Sequence, residues 1–187
     1  MKRAAVFAVW CFLATGLFGA DAPVELLDID GKVHAPLHAS DRKATVFVFV
    51  SPFCPTSNTL TPEVNRIAAE YAHQFAFYLV EADSTISAGD AKKHAETLEI
   101  KTTVLLDPKQ LLAKWTKAKI TPEVVVLGRD GKTLYQGRIN DLYTTPTKKL
   151  KEPTTHDLRA ALDSIAAGKT VEIPLTKAVG CLITIVP

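Results

Sequence analysis

The sequence predicts one α/β domain, a central mixed sheet with helices on both faces. Segments with strand character alternate with segments of helical periodicity, then a hairpin and a last helix follow, which is the order of a layered α/β domain. Ala44 to Val50 (ATVFVFV) is an unbroken β-branched and aromatic run, the signature of a strand covered on both faces. The length of 187 residues suits a single domain with a real core.

Taken in order, Val24 to Asp28, an Asp30-Gly31 turn and Lys32 to His34 read as an edge hairpin. The strong strand Ala44 to Val50 runs directly into Ser51-Pro52-Phe53-Cys54-Pro55. A helix follows, with Leu60, Val64, Ile67, Ala68 and Tyr71 on its apolar face and Glu63, Arg66 and Glu70 opposite. Phe75 to Val80 makes a second buried strand, Ala88 to Leu98 a helix, and Thr103 to Leu106 a short strand. Asp107-Pro108 is expected to open a helix through Trp115, with Asp as N-cap and Pro in the first turn.

Beyond Thr121-Pro122, the strands Glu123 to Leu127 and Thr133 to Arg138 flank an Asp130-Gly131 turn. If that turn has two residues, Arg129 pairs with Lys132 and Glu123 lies opposite Arg138. An extension begins at about residue 144. Thr144 to Pro153 reads as an exposed loop, and Thr154 with Asp157 opens a last helix that turns Leu158, Ala161, Leu162 and Ile165 inward and stops at Gly168.

The first twenty residues stand apart. Lys2 and Arg3 precede the uncharged run Ala4 to Ala20, shorter than the roughly 18–20 apolar residues of a spanning helix. That is the plan of a secretory signal peptide over 1–20, with the domain occupying 21–187 and an exported, periplasmic location expected. Membrane attachment is expected only if the segment stays uncleaved. Removing Lys2 and Arg3 takes the 22 basic residues to 20, equal to the 20 acidic ones, so nothing points to nucleic acid. At 47% hydrophobic and 22% charged residues, disorder and collagen-like repeats are excluded. Cys11 leaves with the signal, and Cys54 and Cys181 remain as a pair able to join in an oxidising compartment.

Cys54 is the candidate nucleophile. A cysteine between the end of a buried strand and the start of a helix meets free backbone amides and the helix dipole, both of which favour the thiolate. Arg138, brought beside Pro122 by the hairpin count, is the candidate cation, with Asp141 as a possible ion partner; the alternative is an ordinary strand-end arginine. Cys181 is read as a resolving thiol for Cys54, the alternatives being a buried free thiol or half of a structural staple. The histidines His34, His38, His73, His94 and His156 show no clear metal-ligand spacing, so neither metal nor cofactor is expected.

Phe53-Cys54-Pro55-Thr56-Ser57 resembles the active-site turn of the thioredoxin superfamily. Pro62, eight residues after Cys54, is similar to the kink proline of its first helix, and Thr121-Pro122 to its cis-proline. Leu105-Leu106-Asp107-Pro108, Thr121-Pro122-Glu123-Val124 and Gly131-Lys132 resemble the redoxin, peroxiredoxin-like (AhpC/TSA) branch and periplasmic thiol oxidoreductases. The resemblance implies a thioredoxin-like fold and a thiol-dependent oxidoreductase. Cys54 would attack disulfides or hydroperoxides, Cys181 would resolve the adduct, and an external thiol reductant would reset the enzyme. It further implies that Ser51, Pro55, Ser57, Thr121 and Pro122 contact protein thiol or disulfide substrates.

Three departures bear on activity. Ser57 occupies the second cysteine position of C-x-x-C, so an adduct on Cys54 has no local resolving thiol. Ser51 matches the peroxiredoxin hydroxyl three residues before the cysteine, but Phe47 stands where those proteins carry proline. Asn58 stands where a copper-binding Sco-type chaperone has its second cysteine. The contrasting class is a non-enzymatic redoxin-like module that docks a partner or carries metal, with a Cys54–Cys181 staple.

Overall fold

The computed structural model describes residues 24–38 and 41–184. The segment 1–20, expected to be a signal peptide, and Cys11 within it lie outside the described residues. The sheet is built on β3 (Ala44–Val50), every residue of which is buried. β4 (Phe75–Glu81) and β5 (Thr103–Leu106) run parallel to it on one side. β1 (Leu26–Asp28) and β2 (Val33–His34) close that edge as an antiparallel hairpin. On the other side lie antiparallel β7 (Glu123–Gly128) and β8 (Thr133–Gly137), giving the seven-stranded order β2-β1-β5-β4-β3-β7-β8.

The pleat of β3 divides the core. Val46, Val48 and Val50 face α1 (Pro55–Tyr71) and α4 (Asp157–Ala166), packing on Leu60, Val64, Ile67, Leu158 and Leu162. Phe47 and Phe49 face the other way, onto Leu112 and Ala113 of α3 (Leu111–Thr116) and onto Ile183 from the chain end. Because β3 serves two cores, its sequence shows no polar alternation. A further helix, α2 (Ala88–Thr97), starts at a Ser87–Asp90 capping box.

Four details differ from the sequence expectation. α3 starts at Leu111, because Gln110 takes a left-handed conformation (φ 56°) and donates its buried amide to the carbonyls of Ala82 and Thr184. Asp107 still receives the amides of Leu111 and Ala113, from one turn earlier than an N-cap. The β7–β8 hairpin closes through Gly128 and Lys132, with a bulge before Leu127 shifting the register by one; beyond it Val124 meets Gly137, as a count from the two-residue turn requires. Thr144 to Pro153 is a small exposed hairpin of β9 (Tyr143–Thr145) and β10 (Lys148–Lys149) where a loop was expected. Finally, α4 begins at Asp157 with no side-chain cap, because Thr154 and Thr155 turn their amides to Asp141.

After α4 the chain crosses the sheet edge. Pro174 and Thr176 bond to Gln136 of β8, and the chain then reaches β6 (Ile120–Thr121) to form β11 (Cys181–Leu182). Among the described residues no helix is long and apolar enough to cross a membrane.

Candidate active site

Cys54 is the N-cap of α1, in extended conformation, and Pro55 occupies the first turn, where a missing amide costs nothing. The Ser57 amide points at the Cys54 sulfur (3.5 Å), and the Asn58 amide at the Cys54 carbonyl (3.0 Å). In its thiol form Cys54 donates to the carbonyl of Thr121 at 2.9 Å. Thr121 is joined to Pro122 by a cis peptide bond. The loop before the cysteine is held from within: Ser51 receives the Cys54 and Phe53 amides, and its own amide donates to the Ser57 hydroxyl.

Cys181 arrives from the far end of the sequence. Strand β11 pairs antiparallel with β6, setting Cys181 opposite Thr121 and Leu182 opposite Ile120. The Cys181 thiol there lies near enough to the Cys54 sulfur for each to act on the other's proton, both cysteines being free. Burial alone raises the Cys54 pKa. Donors from the Cys181 thiol, the Ser57 amide, the Thr121 side chain and the Cys181 amide outweigh it, and the pKa falls below the ordinary thiol value. Cys181 moves the opposite way, to about 11, because of burial, its hydrogen bond to Cys54 and the charge on Cys54. The two thiols are therefore unequal: Cys54 gives up its proton more readily than Cys181.

A cleft of about 130 Å³ lies at the pair, lined by Ser51, Phe53, Ala82, Asp83, Thr121 and residues 181–184. At about 30 Å³ per water that is room for about four waters, enough for a small disulfide or peroxide group. Neither lysine nor arginine lines it.

The structure brings together Cys54, Cys181, Ser51, Pro55, Thr121 and Pro122, while two expected site residues turn to other work. Ser57 is fully buried, so its hydroxyl shapes the loop where a substrate contact was expected. Arg138 sends its guanidinium to Asp157 (2.9 and 3.1 Å) and Thr155, pulled toward α4 and away from the cysteines' hydrogen-bond network. Asp141 lies close enough to act on Arg138 by charge, yet its carboxylate receives the Thr154 and Thr155 amides. Among the described residues no three His, Cys, Asp or Glu side chains converge as a metal set.

One buried network under the site is not evident in the sequence. Glu81, at the end of β4, meets His94 Nδ1 at 2.9 Å, and His94 Nε2 meets Asn58 Oδ1 at 2.9 Å. Asn58 Nδ2 in turn donates to the Pro52 carbonyl at 2.9 Å. That donation fixes the amide orientation, so His94 Nε2 must be the donor to Oδ1. One proton is then shared between His94 Nδ1 and Glu81, whose pKa burial raises. The chain Glu81–His94–Asn58–Pro52 ties the core to the loop that presents Cys54.

No family model matches the chain, and no curated protein matches it. Solved structures do. An uncharacterized conserved protein from Geobacillus kaustophilus superposes with a TM-score of 0.75 at 28% identity, over 89% of this chain and 90% of that one. A hypothetical protein from Sinorhizobium meliloti 1021 gives a TM-score of 0.77 at 24% identity, over 87% and 90%. A secreted Mycobacterium tuberculosis disulfide oxidoreductase homologous to E. coli DsbE gives 0.52 at 19% identity, over 78% and 96%. The mixed sheet, the helices around it and these likenesses establish that this chain is built on the thioredoxin fold.

Proposed function

We propose that the protein is a thiol–disulfide oxidoreductase in which Cys54 attacks and Cys181 resolves. One observation carries this reading: the β6–β11 pairing sets two free thiols against Thr121 at the N-terminus of α1, with the pKa of one lowered and that of the other raised to about 11. The Cys54 thiolate attacks a substrate disulfide, forming a Cys54–substrate bond and releasing the other substrate sulfur as thiolate. Once Cys54 is in a neutral mixed disulfide, the charge that holds the Cys181 proton is gone. Cys181 then ionises more readily and attacks the Cys54 sulfur, leaving a Cys54–Cys181 disulfide and a reduced substrate. An external dithiol takes up that oxidation and returns both cysteines to thiols.

Disulfides suit the site better than hydroperoxides. A peroxidatic thiolate gains from a cation that polarises the O–O bond, and the cleft lining supplies none. The Lys2-Arg3 start and following apolar run support export, and the secreted disulfide oxidoreductase of the same fold is consistent with that location. The test is to offer the reduced protein glutathione disulfide and hydrogen peroxide separately and follow free thiols. Two thiols lost per chain, faster with the disulfide, support the reading. Thiols that persist with both oxidants refute it.

A further inference from the structure

β11 is short and both of its residues are exposed, yet it lies on the edge that a substrate cysteine must approach. Cys54 is only 1% exposed with that strand in place. The strand is held at its two ends. Upstream, Thr176 receives the Arg138 amide (3.0 Å) and bonds the Tyr135 hydroxyl (2.8 Å). Downstream, the Ile183 amide donates to the Lys119 carbonyl (2.8 Å) and Gln110 to the Thr184 carbonyl (2.7 Å). Between these pins Gly180 touches the site so closely that a Cβ there would lie 2.0 Å from the Thr121 carbonyl oxygen and 3.1 Å from Pro122 Cδ. Its φ is not in the left-handed region, so closeness of approach alone demands glycine.

Resting on the thiol–disulfide reading, we propose that β11 stands in for the substrate. The β6 edge is a seat for an extended peptide in which glycine precedes the reactive cysteine, and the chain's own Gly180-Cys181 fills that seat until a partner displaces it. Partner strand and resolving strand then exclude one another. The strap lifts, the partner strand pairs with Ile120 and Thr121, and Cys54 attacks its disulfide. Return of the strap to the same edge delivers Cys181 to the mixed disulfide and expels the partner in one exchange. Leu182 and Phe53, 77% and 68% exposed, flank the seat as apolar surface for the partner to cover. Specificity comes from a clash: any side chain before the cysteine meets the Thr121 carbonyl.

The test uses the full chain as Cys181→Ser, which cannot resolve. Two peptides, Ala-Val-Gly-Cys-Leu-Ile and Ala-Val-Val-Cys-Leu-Ile, are supplied as mixed disulfides with a chromogenic thiol whose release is timed, beside a small disulfide of that same thiol. The glycine peptide is expected to react about tenfold or more faster than the valine peptide. Equal rates for the two peptides, with the small disulfide reacting normally, overturn the seat while leaving thiol–disulfide exchange intact. Failure of all three to react overturns the exchange reading itself. A second variant, Gly180→Ala, sets a Cβ against the Thr121 carbonyl and so lifts β11, and it should speed Cys54 alkylation while slowing Cys54–Cys181 closure. Unchanged alkylation there means that the strap does not guard Cys54, and the proposal falls.

Discussion

Cys181 sits directly across the β6–β11 ladder from Thr121, the residue whose carbonyl receives the Cys54 thiol, so one backbone pairing sets the geometry of both cysteines. The two cysteines are 127 positions apart, and the fold closes that distance with a two-residue strand. What the site can do follows from how strongly each thiol holds its proton.

Cys54 should therefore alkylate with a pH midpoint below the ordinary thiol value of about 8.5, read on a Cys181→Ser chain whose hydroxyl keeps a donor. Cys181→Ala removes that donor and should raise the midpoint. The sign follows from the bond: the donor favours the thiolate, so its loss makes the proton harder to remove. Equal midpoints in the two variants would show that Cys181 does not tune Cys54.

Arg138→Ala should leave the Cys54 midpoint where it is, because the guanidinium is spent on Asp157 and Thr155. Its cost should appear in thermal stability, about 1 kcal/mol for a partly exposed charge-assisted pair. A raised midpoint would return Arg138 to the site as its cation.

His94→Ala should strip the Glu81 carboxylate of its partner in the core, where both side chains are almost wholly buried. Glu81 Oε2 already has no hydrogen-bond partner, so no second contact softens the loss. Denaturant unfolding should show a loss of about 3–5 kcal/mol. Asn58→Ala should cost less stability but change the Cys54 alkylation rate, because it frees the Pro52 carbonyl. A His94→Ala chain as stable as its parent would mean that Glu81 is satisfied some other way.

The local parts of this architecture were legible in the sequence. Ala44–Val50, the helix after Cys54 and the hairpin around Asp30-Gly31 are written in runs and turn residues that act within a few positions. The count from Asp130-Gly131 set the right register at Val124 and Gly137, though a bulge altered it near the turn. Long-range choices were not legible. Gln110 delays α3 because Ala82 and Thr184 claim its amide, and Asp157 claims Arg138 from 19 positions away. Glu81, one residue beyond the strand expected at Phe75 to Val80, is tied to His94 from 13 positions away. β11 carries no periodic pattern, since it is only two residues long and its pairing depends on backbone contact at Gly180.

The most direct test is mass spectrometry of the intact protein after brief exposure to glutathione disulfide, with free thiols trapped by acid and alkylation. The parent chain should lose two hydrogens and hold no glutathione, because Cys181 displaces it from Cys54. Cys181→Ser should instead hold one glutathione, mapped to Cys54, and Cys54→Ser should hold none on Cys181, whose pKa is lifted in part by burial. A parent chain that keeps its glutathione as long as Cys181→Ser does would contradict the resolving role. Glutathione on Cys181 in preference to Cys54 would contradict the assignment of the nucleophile.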